Sequence, residues 1–383
     1  MKRIALVENF GSDFYISRLR FALFLKENNF DVTAIIPHDG YVDKIRDKGI
    51  KVISFQSNIR GLSLSNKVKF ALDLKKIFSE NNFDLIHFYR LQPNIIGTFM
   101  AGIFTKAKIV NHVTGLGIAF SSSSFKNILL QTLTKCFYKF NYVLFNPYTI
   151  YQNKYDSRDL GIEKRTICIE GSSVNEDRYN LEHASTNKKY ISSLVEELDL
   201  DKTAKTFLFV SRLIKEKGIL ELTESIININ LNNTKVNLII AGWSDLQNPS
   251  AIKTSYFKTL SEKYNFIKFL GKRSDVNDLI ALSDVSILPT YLREGTPRFL
   301  LESMAMGKPI ITTEMPGCDH LISNSKNGIM VKQKSVKEIE DSIIEILGKD
   351  IISMGQESYN FYKKKFSEKV VYSSIEKLYR SIL

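Results

Sequence analysis

Short apolar runs alternate with amphipathic stretches along the chain, a pattern that predicts strands followed by helices. In the first half, the strand-like runs are Arg3 to Glu8, Asp31 to Ile36, Ile50 to Phe55, Asp84 to Tyr89, Lys108 to Val113, Tyr142 to Phe145 and Thr166 to Ile169. Helical spacing predicts helices between them at Phe14 to Asn28, Asn66 to Asn81 and Lys126 to Phe140. Such alternation predicts a parallel sheet with helices on both faces.

The second half repeats this pattern after a polar stretch, Asn180 to Asp201, that lacks strand character. Its strand-like runs are Thr206 to Val210, Val236 to Ala241, Phe266 to Leu270, Val285 to Leu288, Pro309 to Thr312 and Ile329 to Val331. A chain of 383 residues is too long for one ordinary core. We therefore predict two doubly wound domains, 1–190 and 191–366, and a terminal helix at 367–383.

Composition narrows the class of protein only slightly. The apolar content of 44% and charged content of 25% are typical of soluble globular proteins. The net charge of +12 predicts an anionic partner, which could be a nucleic acid, a nucleotide or an anionic membrane. The sequence contains no recognised nucleic-acid-binding module, so we expect no nucleic-acid partner.

The sequence favours a cytoplasmic protein. The three cysteines have no paired spacing, which argues against a disulfide framework or a zinc site. The basic N-terminus runs at once into a strand and leaves no room for a signal-peptide core. No apolar run approaches the ~20 residues that span a bilayer, so any membrane contact is expected to be peripheral.

The stretch from Leu288 to Pro309 combines a strand end, a short loop and a well-marked helix. Thr296 is suited to cap this helix, Pro297 to occupy its first position and Gly307 to end it. The first N–H groups of a helix have no partner within the helix and attract anions such as phosphate. The sequence therefore predicts a phosphate site at the helix start.

Two carboxylates, Glu294 and Glu302, flank this helix start. Glu302 lies five residues beyond Pro297, or roughly 7–8 Å along the helix axis. A nucleotide sugar fits, with its diphosphate at the amides and its hydroxyls at the carboxylates. From spacing alone, an amphipathic helix with two solvated glutamates fits equally well.

Two cations follow the first strand of the second domain. Arg212 leaves the strand end, and Lys217 stands five residues later, before Gly218. Arginine and lysine at the mouth of a parallel sheet suit a diphosphate. Ordinary surface charges would also account for this spacing.

The loop after the first strand contains Gly11 and Ser12. Ligands of doubly wound sheets bind beyond the carboxyl ends of the strands. The loop lacks the three-glycine fingerprint of dinucleotide-binding proteins, which argues against an NAD enzyme. A plain strand-to-helix turn also explains Gly11.

His112 ends the fifth strand, just before Gly115 and Gly117. Two glycines in a loop permit close approach of the backbone to a ligand. His38 and His87 also lie near strand ends, and a structural role remains open for each histidine.

The segment from Phe125 to Tyr151 interleaves aromatic and aliphatic residues with lysines. A basic amphipathic helix of this kind is able to lie in a membrane interface. The alternative is that this helix packs against the sheet of its own domain.

These motifs together resemble the retaining glycosyltransferases of family 4, which have the GT-B fold. The resemblance rests on Glu294-Gly295-Thr296-Pro297 with a second glutamate at 302, on the continuation Ala305 to Thr313, and on Arg212-x4-Lys217-Gly218. Thr114 to Gly117 and Gly11 to Arg18 are similar to a subgroup of bacterial N-acetylgalactosaminyltransferases that extend undecaprenyl-diphosphate-linked diacetylbacillosamine. The fold implied is two Rossmann-like domains with a cleft between them, the terminal helix crossing back to the first domain.

The resemblance also implies roles for individual residues. The implied catalytic residues are Arg212, Lys217, Glu294 and His112, with the first two neutralising the leaving diphosphate. The implied donor-binding residues are Gly11, Ser12, Gly271, Arg273, Gly295, Thr296, Pro297 and Glu302. Among these, the segment at Gly271 would hold the uracil edge, and Glu302 would hold the ribose hydroxyls.

The activity implied is transfer of a sugar, an N-acetylhexosamine such as N-acetylgalactosamine, from a UDP-sugar to an undecaprenyl-diphosphate-linked saccharide. Its site would be the inner face of the cytoplasmic membrane, with no metal ion or other cofactor required. The alternatives are a family 4 hexosyltransferase with another donor or acceptor, and a non-catalytic GT-B subunit. Retention of both cations and both glutamates counts against the second alternative.

Overall fold

The computed structural model describes residues 1–57, 64–117, 120, 124–245 and 248–383. The described chain forms two compact α/β units. The first unit comprises Met1–Ser173, Glu294–Thr296 and Glu368–Leu383, and the second comprises Val174–Arg293 and Pro297–Ser367.

The first unit is built on a parallel sheet. Its strands are β1 (Lys2–Val7), β2 (Phe30–Pro37), β3 (Lys51–Phe55), β4 (Leu85–Tyr89), β5 (Lys108–Val113), β6 (Tyr148–Tyr151) and β7 (Thr166–Cys168). They lie in the order β3-β2-β1-β4-β5-β6-β7. The order changes direction between β1 and β4, the kind of point at which such sheets bind ligands.

Helices cover both faces of this sheet. They are α1 (Gly11–Ser17), α2 (Leu19–Glu27), α3 (Val42–Arg46), α4 (Leu64–Glu80), α5 (Thr98–Phe104), α6 (Phe125–Phe145) and α7 (Lys154–Leu160), with a π-helical turn at Pro93–Gly97. Alternate residues of β1 enter different cores: Ile4 and Leu6 pack in one cluster, Ala5 and Val7 in the other. Burial on both faces explains why the strand is a continuous apolar run.

The second unit repeats this architecture. Its strands are β8 (Lys205–Arg212), β9 (Val236–Trp243), β10 (Ile267–Gly271), β11 (Val285–Leu288), β12 (Ile310–Thr313) and β13 (Gly328–Val331), in the order β10-β9-β8-β11-β12-β13. Its helices are α8 (His183–Thr186), α9 (Lys188–Glu197), α10 (Ile219–Leu231), α11 (Thr254–Lys263), α12 (Val276–Leu282), α13 (Arg298–Ala305), α14 (Val336–Leu347) and α15 (Ile351–Lys365). Two 3₁₀ turns lie at Lys215–Lys217 and Asp319–Leu321. The last helix, α16 (Glu368–Ile382), groups with the first unit.

The predicted strand at 142–145 is wrong, because α6 continues to Phe145 and the strand is Tyr148–Tyr151. A short apolar run is ambiguous between helix and strand. The helix predicted at 14–28 is divided at Arg18, whose φ of −120° ends α1 and begins α2.

The second unit begins at Val174, earlier than the boundary predicted near 190. The polar segment after Val174 is anchored to the second unit by its few apolar side chains. Val174, Tyr179 and Leu198 are buried in that unit's core.

Candidate active site

Six of the residues selected from the sequence lie in the second unit. Arg212 ends β8, Gly271 ends β10, and Pro297 precedes α13, which follows β11. Because the strands are parallel, their carboxyl ends share one edge of the sheet. This edge is where a doubly wound sheet binds its ligand.

The turn that carries Lys217 is fixed to the segment preceding Glu294. The carbonyl of Glu216 accepts hydrogen bonds from Thr290 Oγ1 at 3.0 Å, the N–H of Tyr291 at 2.8 Å and that of Leu292 at 3.1 Å. Gly218, with a φ of +72°, passes so close that a Cβ there would lie 2.0 Å from the carbonyl oxygen of Pro289. The turn that carries Lys217 thus packs directly against residues 289–292, and this close approach explains the glycine after Lys217.

Helix α13 begins one residue later than predicted. Pro297 is its N-cap, with φ −63° and ψ 117°, a position that the sequence analysis gave to Thr296. Pro297 itself makes no side-chain cap hydrogen bond. Its first N–H groups remain suited to an anionic ligand.

Glu302 is a buried carboxylate, only 8% exposed. Nη2 of Arg298 lies 3.1 Å from its Oε1. Burial raises the pKa of Glu302, and the charges of Arg298 and Arg178 oppose this rise. Arg178 also donates to Asn277, at 3.1 Å from Nε, and to the carbonyl of Ser274. It therefore connects Glu302 to the segment that follows Gly271.

The sequence reasoning missed both arginines. Arg298 stands four residues before Glu302, and this spacing on a helix predicts a contact between them. Arg178 lies far from Glu302 in sequence and had no such signal.

The guanidinium group of Arg273 is paired with a carboxylate and is therefore not a free cation. Its Nε and Nη2 contact the two oxygens of Asp275 at 2.8 and 2.5 Å, and Tyr190 donates to the same carboxylate at 3.1 Å. Gly271 has a φ of +67°, and space is open where its Cβ would be. The segment 271–273 therefore offers a nucleotide base its backbone groups and open space.

His112 lies in β5 of the first unit and is 1% exposed. The ring of His87 stacks on it at 5.3 Å and 7°, while the side-chain amide of Gln152 lies 3.4 Å from Nε2. Burial, followed by the charge of Arg18, lowers the pKa of His112 well below its usual value. His112 is therefore a neutral imidazole and is unsuited to donate a proton as an acid.

Gly11 opens α1 and has a structural explanation. Its N–H donates to Oδ2 of Asp39 at 3.0 Å, and a Cβ would lie 2.2 Å from Oδ1 of that residue. Because this amide is already used, it is not available to a phosphate. The donor-binding role of Ser12, the next residue, stays a prediction.

A network of charged residues, absent from the sequence-based prediction, lies at the carboxyl ends of β1 and β4. Glu8 is fully buried, with Arg90 Nε at 3.1 Å and Arg18 Nε at 3.6 Å from its oxygens. Arg90 also pairs with Asp13 and has a φ of +73°, which is unfavourable for a residue with a side chain. Arg18 lies over the ring of Tyr89 at 4.1 Å. The sequence did contain a signal for this network, because Glu8 and Arg90 are polar residues directly after the buried strands β1 and β4.

Glu294, Gly295 and Thr296 group with the first unit. The side-chain amide of Asn153 donates to the carbonyl of Glu294 at 3.3 Å. A Cβ at Gly295 would lie 2.2 Å from Oε1 of Gln152, so a larger residue would not fit without movement.

Comparison with known proteins agrees with this organisation. Residues 192–364 match the model "Glycosyl transferases group 1", and residues 3–147 match "Glycosyl transferase 4-like". The chain is 28% identical over 352 residues to the N,N'-diacetylbacillosaminyl-diphospho-undecaprenol alpha-1,3-N-acetylgalactosaminyltransferase of Campylobacter jejuni, covering 90% of this chain and 89% of that protein. It is 23% identical over 360 residues to an Escherichia coli UDP-Gal:alpha-D-GlcNAc-diphosphoundecaprenol alpha-1,3-galactosyltransferase, covering 89% and 88% of the two chains.

Solved structures show the same fold. Anabaena HepE in complex with UDP-glucose superimposes with a TM-score of 0.78 at 18% identity, covering 100% of both chains. A glycosyltransferase from Rickettsia africae gives a TM-score of 0.78 at 21% identity, covering 100% of this chain and 98% of the other. The protein is thus a glycosyltransferase with the GT-B fold. Within that class, the first part of the chain carries a glycosyl transferase 4-like domain and the second part a group 1 glycosyl transferase domain.

Proposed function

We propose that the protein is a retaining transferase that moves an N-acetylhexosamine, such as N-acetylgalactosamine, from its UDP derivative to an undecaprenyl-diphosphate-linked saccharide. The observation that carries this proposal is the placement of Arg212, Lys217 and the start of α13 around one edge of the second sheet, with Glu302 buried in that helix. The similarity to the Campylobacter enzyme supports the choice of sugar and acceptor.

The chemistry proposed is displacement of UDP by an acceptor hydroxyl. The acceptor oxygen bonds to the anomeric carbon as the bond from that carbon to the β-phosphate oxygen breaks, on the same face of the sugar. The leaving phosphate takes the acceptor proton. Arg212, Lys217 and the first amides of α13 stabilise the growing negative charge, so no metal ion is required.

The remaining residues hold the donor in this proposal. Glu302 accepts from the ribose hydroxyls, and Glu294 accepts from hydroxyls of the transferred sugar. Backbone groups at 271–273 contact the uracil edge. His112, a neutral side chain, supports the sugar or the β-phosphate through hydrogen bonding.

Helix α6 is the proposed contact with the inner face of the cytoplasmic membrane. It exposes a row of apolar side chains, mostly four residues apart: Phe125, Leu129, Leu133, Phe137, Phe140 and Leu144 are each 46% exposed or more. Lys126, Lys135 and Lys139 lie on the same helix. An exposed apolar face bordered by lysines suits an anionic lipid surface. Within the described residues, no helix has the length and apolar character needed to cross a bilayer.

The first test measures UDP release from a panel of UDP-sugars, with and without a short-chain polyprenyl-diphosphate-linked saccharide. We expect acceptor-dependent turnover of UDP-N-acetylgalactosamine or its glucose epimer, loss of turnover in Arg212→Ala and Glu294→Ala, and no effect of a chelator. Retention is checked by the anomeric configuration of the product. Preference for UDP-galactose would instead favour the hexosyltransferase alternative, to which the Escherichia coli relative points.

The membrane proposal is tested by sedimentation with anionic and neutral vesicles. The double variant Leu129→Glu/Phe137→Glu should lose binding to anionic vesicles. Ile352→Glu is the matched control, because Ile352 is 86% exposed on α15 of the second unit. Equal binding by all three proteins would contradict the role of α6.

A further inference from the structure

Trp243 is the only tryptophan of the chain, and it ends β9. Its side chain is 44% exposed although seven residues of the same strand are buried. A large aromatic ring usually contributes to a core or an interface, whereas this ring is exposed at the ligand-binding edge of the sheet. None of the roles assigned above accounts for it.

The strand order places Trp243 between two parts of the proposed donor site. Strand β9 lies between β8, which ends at Arg212, and β10, which ends at Gly271. Trp243 is the direct neighbour of Arg212 in the parallel ladder, and its carbonyl accepts from the N–H of Leu213 at 2.9 Å. Neighbouring strands lie about 4.8 Å apart, so a ligand that reaches from the end of β10 to the end of β8 crosses Trp243.

The two cations after β10 have different environments. Arg273 is paired with both oxygens of Asp275. Lys272 instead places Nζ over the indole ring, 5.6 Å from its centroid. This cation–π contact lies on one face of the ring, while almost half of the residue stays exposed. The ring therefore keeps an exposed surface for a ligand, and space is also open at Gly271, at the end of the neighbouring strand.

We propose that the indole of Trp243 is the stacking surface for the uracil base of the donor. This inference rests on the proposed function, because it requires a uridine nucleotide in the second unit. A base is flat and aromatic, and stacking on an aromatic side chain contributes about 5- to 150-fold in affinity. Backbone groups at 271–273 then contact the edge of the base, and Trp243 contacts its face.

The test compares UDP binding by the wild-type protein, Trp243→Leu and Trp243→Phe, using titration calorimetry. We expect Trp243→Leu to weaken UDP binding by at least about 5-fold and Trp243→Phe to retain most of the affinity, because phenylalanine keeps a stacking surface. Leu231→Ala, a change at another exposed apolar residue of the same unit, should bind UDP as the wild type does. Unchanged melting temperatures will show that each variant is folded.

The single tryptophan supplies a second readout. Uridine should quench its fluorescence, whereas inorganic diphosphate should not, because only the nucleoside carries the base. The inference is overturned if Trp243→Leu binds UDP normally, or if Trp243→Phe loses as much affinity as Trp243→Leu. If the wild type binds no uridine nucleotide, both the proposed donor and this inference fail. If the wild type and Trp243→Leu bind UDP equally well, only this inference fails.

Discussion

Glu302 and Glu8 are both buried carboxylates, and arginines decide how much charge each one carries. Burial raises the pKa of both groups. Arg298 and Arg178 oppose this at Glu302, while Arg90 and Arg18 oppose it at Glu8. A ribose-binding carboxylate must be ionised to accept two hydroxyl hydrogens, so its arginine neighbours become part of nucleotide recognition.

Substitution of Arg298 should therefore change the pH dependence of UDP affinity. As the pH rises through the raised pKa of Glu302, more of this carboxylate is ionised. The affinity for UDP should therefore increase with pH. Arg298→Gln removes a charge that lowers this pKa, and the increase should move to higher pH. Calorimetric titration with UDP from acidic to alkaline pH measures the shift.

Glu302→Gln is the matched control for that experiment. It should bind UDP weakly and show no such increase. Superimposable pH profiles for wild type and Arg298→Gln would contradict the assignment of Glu302 to the ribose.

Glu8 should contribute mainly to stability. Its side chain is fully buried and faces two guanidinium groups, so Glu8→Gln leaves the buried charge of Arg18 with less compensation, while Arg90 is partly exposed to solvent. We expect the free energy of unfolding of the first unit to fall by about 3 kcal/mol. Urea unfolding measures this, with Asp31→Asn as the control because the Asp31–Lys51 ion pair is largely exposed. Equal, small effects of both substitutions would show that the buried network is dispensable.

At the scale of elements, the sequence predicted most strands because parallel strands buried on both faces are continuous apolar runs. It failed where tertiary contacts override the pattern. Arg18 interrupts the helix predicted at 14–28, and its side chain is drawn to Glu8 and Tyr89, a contact that no local rule foresees. The apolar run at 142–145 gave no reason to prefer helix over strand.

The C-terminal helix α16 is held to the first unit by Tyr379, which is fully buried and hydrogen-bonded to Nδ1 of His87. Tyr379→Phe keeps the ring but leaves that buried nitrogen without its partner. We expect a loss of about 1–3 kcal/mol in the unfolding free energy of this unit. Tyr359→Phe, at a half-buried tyrosine of α15, should change stability by less than that. Equal losses would show that the hydrogen bond to His87 has no special weight.

At the scale of the whole molecule, the contacts that could be predicted from sequence are those between residues of one continuous stretch. Within the second unit, the stretch 297–309 brings the helix start and Glu302 together by local geometry alone. The contacts of Arg178 with Asn277, and of His87 with Tyr379, join positions far apart in the chain. Such pairs depend on the strand order of each sheet, which one sequence does not specify.

Division of the chain into two units predicts where UDP should act. Arg212, Lys217, Gly271 and Glu302 all belong to the second unit, so UDP alone should slow amide hydrogen exchange at 206–213, 271–276 and 298–305. A ligand at a hundredfold excess over its Kd stabilises the state that binds it by about 2.7 kcal/mol. Where amide exchange requires unfolding of the second unit, this free energy slows exchange about a hundredfold. Arg212→Ala should lose this protection while keeping its exchange pattern without ligand, because Arg212 is at the end of a strand and outside the buried core. Protection confined to the first unit would place the nucleotide there and would contradict both the donor site and the role of Trp243.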